Sequence, residues 1–259
     1  MLNLKRTTLL NDTENDIKGG YIMLHNQKVV IIGGSSGIGL EAAKQVIALG
    51  GEVIIASRSE EKLQNVKDQL GAKAVAYTLD TTDEQQVQSF FEKIGTFDHL
   101  VVSAAITSGG SFLHTETAQA RQLFESKFWG QYYAAKYGAP NISPNGSITL
   151  FSGVVAYKAM IGSSVLGAVN AAISNLGQTL ALELAPIRVN ILSPGIIDTP
   201  SRSKMPEDAR NDFYASVAGK LPVQRVGTAE DTAQGVLYLI QNGFVTGTVL
   251  HVDGGHRII

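Results

Sequence analysis

The amino-acid sequence predicts an α/β fold in which one parallel sheet is covered by helices on both faces. Residues 29–32 form an unbroken β-branched run, which is typical of a strand buried on both faces. A glycine-rich turn follows over residues 33–39, and apolar residues then recur at helical spacing over residues 40–49. Strand-like and helix-like segments alternate along the remaining chain, a pattern that favours parallel strands joined by crossover helices.

The composition fits one globular domain and argues against several classes of function. The chain has 259 residues, of which 44% are hydrophobic and 17% charged, so a large core is expected. A formal net charge of -2 gives no reason to expect nucleic acid or an anionic membrane as a partner. The absence of cysteine excludes disulfides and thiolate metal sites, and the histidines lack metal-ligand spacing. We therefore expect no metal site, and a cytoplasmic location.

Residues 1–24 are interpreted as an N-terminal extension, mobile or docked on the surface, and residues 25–259 as the folded domain. The extension carries a basic pair but no apolar stretch of signal-peptide length. No later segment is expected to be long enough to span a bilayer, so we expect no membrane partner.

The turn over residues 33–39 is the element from which fold and function are predicted. Its glycines, Gly33-x-x-x-Gly37-x-Gly39, would let the backbone bend sharply and approach a pyrophosphate at the start of the following helix. Strand, turn and helix together indicate dinucleotide binding, and hence a single-domain, Rossmann-type, doubly wound sheet. The glycine spacing resembles that of the short-chain dehydrogenase/reductase family. Later landmarks extend the resemblance over about residues 27–255.

The later elements follow from hydrophobic periodicity and from turn residues. Further strands are predicted at residues 52–57, 74–79, 98–105 and 146–152. Residues 187–195 resemble the family's sixth strand with its Pro-Gly turn, and residues 246–255 resemble its closing strand and turn. Helices are predicted at residues 60–70, from 82 onward, and at 117–138, 163–185 and 228–240. The polar stretch 201–224 suits a mobile lid over a substrate cleft, and residues 107–111 suit a flexible loop at its mouth.

The end of the second predicted strand bears on the choice of coenzyme. A carboxylate normally holds the adenosine ribose about 20 residues beyond the glycines, and it would repel the 2′-phosphate of NADP. This sequence has Ser57 and the cation Arg58 there, and a guanidinium can hold a phosphate through two parallel hydrogen bonds. We therefore expect NADP(H) rather than NAD(H), the alternative being a solvated arginine at a helix start.

The resemblance implies cofactor contacts along most of the chain. In the family an Asp at the end of the third strand contacts the adenine, which points to Asp80, although Asp80 could instead cap the next helix. After the turn Pro194-Gly195, Ile197 and Thr199 match family positions that contact the nicotinamide carboxamide. The full predicted set is Gly33, Ser35, Ser36, Gly37, Ile38, Gly39, Ser57, Arg58, Asp80, Ser103, Ala104, Asn170, Pro194, Gly195, Ile197 and Thr199.

The usual catalytic set of the family is broken in this sequence. The family's proton-transferring Tyr and its partner Lys fall on Leu166 and Asn170, and the Asn that holds a relay water falls on Lys127. The Ser that polarises the substrate oxygen falls on Gly153, one residue after Ser152. Leucine cannot transfer a proton, so an active enzyme needs another donor.

We hypothesise that Ser152 orients a substrate oxygen while Tyr157 or Lys127 delivers the proton. The alternatives are that Tyr157 is a surface tyrosine and that Lys127 lies on a helix surface. The one Tyr-x-x-x-Lys match, from Tyr132 to Lys136, lies upstream on a long helix, where an amphipathic face explains it better.

The resemblance thus implies an NADP(H)-dependent oxidoreductase that acts on a carbonyl or alcohol small molecule with an altered catalytic set. Two alternatives stay open: a catalytically departed NADP(H)-binding sensor or assembly protein, and non-redox proton-transfer chemistry in the same site. The family's two long helices also imply a homodimer or homotetramer. An aromatic cluster on the first of these helices is consistent with such an interface, and equally with a core.

Overall fold

The computed structural model describes residues 17–18, 21–104 and 109–259. Most of the predicted N-terminal extension lies outside the described residues, and so do residues 107 and 108 of the predicted loop. Within the extension, Ile17–Lys18 pairs antiparallel with Tyr21–Ile22.

A seven-stranded sheet forms the centre of the fold. Its strands are β1 (Lys28–Ile32), β2 (Glu52–Ser57), β3 (Ala74–Thr78), β4 (Phe97–Val102), β5 (Ile142–Phe151), β6 (Arg188–Pro194) and β7 (Val249–Val252). All neighbours are parallel, in the order β7-β6-β5-β4-β1-β2-β3. The chain winds outward from β1 in one direction and then from β4 in the other. The carboxyl ends of β1 and β4 therefore flank a crevice, where open α/β sheets bind ligands.

Helices cover both faces of this sheet. They are α1 (Gly37–Ala48), α2 (Glu60–Leu70), α3 (Glu84–Ile94), α4 (Thr117–Phe124), α5 (Gly130–Gly138), α6 (Ser164–Glu183), α7 (Glu207–Ala218) and α8 (Ala229–Gln241). One core cluster joins the sheet to α1, α2 and α8, and a second joins it to α3, α4, α5 and α6. Val29 and Ile31 belong to the first cluster and Val30 and Ile32 to the second, because alternate side chains of a strand point to opposite faces. The predicted Rossmann-type α/β fold is confirmed.

The helix predicted over residues 117–138 is interrupted in its middle. Between α4 and α5 lies a π-helical segment, Glu125–Trp129, in which the N–H of Gly130 donates to the carbonyl of Glu125. A bond spanning five residues instead of four widens the turn, and such π-turns are rare and often occur at functional sites. Lys127 lies inside this segment.

The long helix α6 corrects one expectation about membranes. Ser164–Glu183 has 20 residues and reaches a mean hydropathy of 1.2, so by length and composition alone it could cross a membrane. The expectation that no segment is long enough was therefore wrong. One such helix is weak evidence, because the core helix of a soluble protein passes the same test. Val169 and Ile173 of α6 are fully buried in the second core cluster.

The predicted lid over residues 201–224 is fixed near both ends. Ile197–Asp198 pairs with Gly227–Thr228 just outside it, and Leu221 within it is buried. The intervening helix α7 has no buried residue. A surface helix between anchored ends has the geometry that a lid requires, and its motion stays a prediction.

Candidate active site

The carboxyl ends of the sheet strands open into a cleft of about 560 Å³. Every residue that the sequence predicts to bind the cofactor lines this cleft. Of the predicted catalytic residues, Lys127 and Ser152 line it as well, whereas Tyr157 does not. The fold thus gathers residues from the whole length of the domain at one edge of the sheet.

The turn between β1 and α1 is shaped by close approach of the backbone. Gly33 has a φ of +95°, and a Cβ there would lie 2.6 Å from the nitrogen of Ala104. A Cβ on Gly39 would lie 2.3 Å from the carbonyl oxygen of Gly33, so neither position tolerates a side chain. Ser36 caps α1 without a side-chain hydrogen bond among the described residues. The first N–H groups of α1 are therefore available to an anion such as a pyrophosphate.

The end of β2 presents a hydroxyl and two cations to the cleft. The Ser57 hydroxyl is buried and has no hydrogen-bond partner among the described residues. The exposed side chains of Arg58 and Lys62 line the cleft with it, and within the described chain neither forms an ion pair. Unpaired cations beside an unsatisfied hydroxyl fit a phosphorylated ribose.

Asp80 lies in the cleft at the end of β3 and does not cap a helix. Its carboxylate accepts hydrogen bonds from the N–H and hydroxyl of Thr82, at 3.0 and 2.9 Å. The residue that caps α3 is Asp83, which accepts from the N–H of Gln86 at 3.0 Å. The capping alternative for Asp80 is therefore wrong, and its adenine contact stays a prediction.

Asn170 of α6 presents an unsatisfied acceptor to the cleft. Its side chain is 2% exposed, and its Oδ1 has no hydrogen-bond partner among the described residues. Gly153 provides the space that this amide occupies, since a Cβ there would lie 2.8 Å from the Asn170 Nδ2. A buried orphan acceptor on a cleft wall fits a ligand hydroxyl, such as one of the nicotinamide ribose. The cleft therefore fits a nicotinamide dinucleotide at both of its riboses.

Lys127 brings a buried ammonium to the same cleft. It is 4% exposed, and its Nζ donates to the carbonyl oxygen of Ser152 at 3.2 Å. Burial lowers the pKa of Lys127 from 10.5 to about 8, and in the described part of the chain no carboxylate pairs with it. The alternative of a helix-surface lysine is therefore wrong. An amine with this pKa can hold and release a proton near neutral pH.

Ser152 lies beside Lys127, but its hydroxyl is already bonded within the protein. It donates to the carbonyl oxygen of Asn170 at 2.9 Å and accepts from the hydroxyl of Ser174 at 2.8 Å. The single Ser174 proton is shared between the Ser152 hydroxyl and the Asn170 carbonyl oxygen, which lies 2.9 Å away, so the two hydroxyls join the end of β5 to α6. A substrate could use the Ser152 proton only by displacing it from Asn170. The geometry thus assigns Ser152 a structural role first.

Tyr157 is not brought into the cleft. A short 3-10 turn, Val154–Ala156, lies between the end of β5 and Tyr157; Val154 and Val155 still line the cleft, and Tyr157 does not. The Tyr157 ring is 40% exposed and packs edge-on against His251, with ring centroids 4.7 Å apart. The upstream pair also lies elsewhere, since Tyr132 stacks with neighbouring aromatic rings and Lys136 pairs with Glu84 at 3.0 Å. Lys127 is thus the only predicted donor that lines the cleft.

Several cleft residues were missed by sequence reasoning. Lys62, Arg202 and Ser126 line the cleft, and Gln131 lies behind it, bonded to the main chain of Lys127. Lys62 lies on the first turn of α2, four residues after Arg58, so helical spacing could have indicated it. Gln131 is likewise one turn after Lys127, but nothing in the sequence marks it as buried.

The fold and the cleft define a nicotinamide-dinucleotide-binding α/β protein, and comparisons with known proteins agree. A family profile described as enoyl-(acyl carrier protein) reductase matches residues 33–257. Over 236 residues, 88% of this chain and 97% of the relative, the chain is 33% identical to carbonyl reductase family member 4 of Xenopus laevis. Over 245 residues it is 31% identical to the 3-oxoacyl-(acyl-carrier-protein) reductase FabG of Thermotoga maritima, covering 90% of this chain and 98% of FabG.

Solved structures give the same result. A small-chain dehydrogenase in complex with NADPH is 39% identical, with a TM-score of 0.77, over 90% of this chain and 99% of the other. A short-chain dehydrogenase/reductase from Brucella melitensis is 26% identical, with a TM-score of 0.85, over 91% and 98% of the two chains. This chain belongs to the short-chain dehydrogenase/reductase family, a family of oxidoreductases that bind nicotinamide cofactors and act on small molecules.

Proposed function

We propose that this protein is an NADP(H)-dependent oxidoreductase that interconverts a carbonyl and an alcohol on a small molecule. The observation that carries the proposal is the Lys127 ammonium, which is buried in the cleft and has a pKa lowered to about 8. Leu166, at the family's Tyr position, lines the same cleft. The proton must therefore come from another group, and Lys127 can provide it.

The cofactor would be held by three groups of residues. The glycine turn and the start of α1 would hold the pyrophosphate. The phosphorylated ribose would be held by Ser57, Arg58 and Lys62, and the nicotinamide ribose would be held by Asn170. When bound, the reduced nicotinamide supplies the hydride that adds to the carbonyl carbon. The NADPH complex of the small-chain dehydrogenase described above supports the choice of NADP(H).

Lys127 would protonate the oxygen that becomes the alcohol. Its positive charge, in a site sheltered from water, also stabilises negative charge that develops on this oxygen. With a pKa of about 8, roughly nine-tenths of the Lys127 side chains carry the proton at pH 7 and about one-tenth at pH 9. Carbonyl reduction is therefore expected to slow as the pH rises through 8.

Activity is tested by following NADPH absorbance against a panel of aliphatic aldehydes, aromatic aldehydes, cyclic ketones and 3-oxo esters. We expect turnover by the wild-type protein and a loss of about 100-fold or more in kcat for Lys127→Met, because a general acid contributes about that much. Lys67→Met, at an exposed position on α2, is the matched control. Tight NADPH binding with no turnover on any compound would instead favour the sensor or assembly protein.

Coenzyme choice is tested separately, by fluorescence titration with NADPH and NADH. Arg58→Gln removes charge-assisted hydrogen bonds to the 2′-phosphate, so the Kd for NADPH is expected to rise about 10- to 100-fold. The Kd for NADH should not change, and Lys67→Gln should change neither. Equal losses for both coenzymes would contradict the role given to Arg58.

A second copy of the chain is the partner we propose for the groove between α5 and α6. This groove has a volume of about 810 Å³ and is lined mainly by apolar residues, among them Phe128, Leu176 and Leu180. The helix predicted over residues 117–138, whose second part is α5, and the helix α6 are the long elements through which the family resemblance implies assembly. Exposed apolar surface of this kind favours a homo-oligomer, as a dimer or a tetramer.

A further inference from the structure

Gln131 is a fully buried amide whose hydrogen bonds all lead to the surroundings of Lys127. It lies on α5, one turn after Lys127, and is 0% exposed. Its Nε2 donates to the carbonyl oxygens of Lys127 and Phe151, at 3.0 and 2.9 Å. Its Oε1 accepts from the N–H of Phe151 at 2.7 Å. Rotating the amide by 180° would oppose like groups at every one of these contacts, so its orientation is fixed.

Phe151 needs these bonds because β5 extends beyond its neighbour. The pairing of β4 with β5 ends at Val102 and Leu150, so no β4 residue pairs with Phe151. On the other side, the N–H of Ser152 donates to the carbonyl of Leu192 in β6. In a parallel ladder the peptide groups of one residue point to one neighbour, which leaves those of Phe151 on the β4 side. The Gln131 amide takes the place of the missing strand there.

The same bonds fix both ends of Lys127. The Gln131 amide donates to the Lys127 carbonyl oxygen, and it bonds both the N–H and the carbonyl oxygen of Phe151. The next residue, Ser152, supplies the carbonyl oxygen that accepts from the Lys127 Nζ. A closed ring therefore runs from the Lys127 main chain through Gln131, Phe151 and Ser152 back to the ammonium. Lys127 itself belongs to the π-helical segment Glu125–Trp129.

We propose that Gln131 is a positioning residue, which sets where the Lys127 ammonium lies in the cleft and keeps water away from it. This inference rests on the proposed function, in which Lys127 is the proton donor. A buried amide could also serve stability alone, since removing it leaves the Phe151 N–H and carbonyl without partners. Stability and positioning are distinguishable, because only positioning changes the titration of Lys127.

The test compares Gln131→Met with Asn190→Leu, a matched loss of a buried amide on β6 that has no hydrogen bond to Lys127, Phe151 or Ser152. Asn190 is 0% exposed; it donates to the Val245 carbonyl and accepts from the Thr248 N–H, so its loss also breaks main-chain bonds. Gln131→Glu keeps an acceptor for the Phe151 N–H and serves if Gln131→Met does not fold. Protein labelled with carbon-13 at lysine Cε reports the titration of Lys127, which Lys127→Met assigns by removing its signal.

Positioning predicts a change in titration and in turnover together. The midpoint of the Lys127 titration should move upward from about 8 in both Gln131 variants. In Gln131→Met, water that enters the site would stabilise the charged amine, and in Gln131→Glu the new negative charge would do so. Turnover should fall about 100-fold, the effect of misplacing a catalytic group by about 1 Å, while the NADPH Kd changes less than about twofold. Asn190→Leu should lower the melting temperature without moving the midpoint.

Two results separate the failure of this inference from the failure of the proposed function. If both Gln131 variants keep the wild-type midpoint and kcat while losing stability like Asn190→Leu, Gln131 is structural and the positioning role is overturned. If Lys127→Met itself keeps wild-type turnover, the proton-donor assignment fails, whatever the Gln131 titrations show.

Discussion

Replacing Lys127 by Met should stabilise the protein at neutral pH while removing its activity. The Lys127 ammonium is 4% exposed, with Ser152 as its hydrogen-bond acceptor and no carboxylate partner in the described part of the chain. Lowering its pKa from 10.5 to about 8 corresponds to about 3 kcal/mol of unfavourable charge burial. Loss of the bond to Ser152 offsets about 1–2 kcal/mol of this. We therefore expect Lys127→Met to gain about 1–2 kcal/mol at pH 7.

The pH dependence of this gain follows from linkage. Below pH 8 Lys127 is protonated in both folded and unfolded protein, and the full cost is present. Between about pH 8 and 10.5 the unfolded state binds more protons, so the stability of the wild type rises with pH. Above 10.5 the amine is neutral in both states. The advantage of Lys127→Met should therefore shrink as the pH rises through this window.

The measurement is urea unfolding followed by circular dichroism, at one protein concentration and at pH 7, 8, 9 and 10. Taking the difference in the free energy of unfolding between wild type and Lys127→Met removes the contribution of the other groups, which titrate in both proteins. Lys67→Met, at an exposed site, should show no such trend. A Lys127→Met protein that is less stable at pH 7, with a difference independent of pH, would refute the burial of a charged amine.

Three further substitutions test the glycine turn, the contact between β6 and the end of α8, and the assembly. Gly33→Ala places a Cβ 2.6 Å from the Ala104 nitrogen and should lose NADPH binding in a fluorescence titration. Gly71 also has a positive φ, of +77°, but a Cβ there would meet nothing within 4 Å, so Gly71→Ala should lose only about 1 kcal/mol of stability. Arg188→Met removes guanidinium bonds to the carbonyls at the end of α8 and should lower stability by about 3 kcal/mol in thermal unfolding. Leu176→Arg should shift light scattering from oligomer to monomer if the groove between α5 and α6 is the interface.

Elements specified by local pattern were predicted closely from the sequence. The predicted strand 52–57 and helix 60–70 have the bounds that the structure gives to Glu52–Ser57 and Glu60–Leu70. Their ends are set by local residues, such as the cap Ser59 just before the helix, whose side chain accepts from the N–H of Lys62. The residues predicted to bind the cofactor all line one cleft, because in a parallel sheet the ends of successive strands meet at one edge.

The residues proposed as proton donors were harder to place, because their environment depends on contacts between distant segments. Tyr157 lies only five residues after Ser152, and nearness in sequence suggested nearness in space, but the turn at Val154–Ala156 separates them. Lys127 lies in a π-helical segment and its carbonyl accepts from Gln131, and neither hydrophobic periodicity nor helix propensity distinguishes a π-turn from an ordinary helical turn.

The burial of Lys127 affects both the free energy of unfolding and the acidity of the amine in the cleft. A solvated lysine would keep its proton near pH 7 too firmly to serve as an efficient acid, and an ion-paired one would hold it more firmly still. Burial without a carboxylate partner among the described residues brings the pKa to about 8, from which proton donation to a developing alkoxide is more favourable than from a solvated lysine. Under the proposed function, the desolvation that weakens the fold is therefore the same desolvation that makes Lys127 a better proton donor. A variant that restored stability by pairing Lys127 with a new carboxylate should for that reason lose activity.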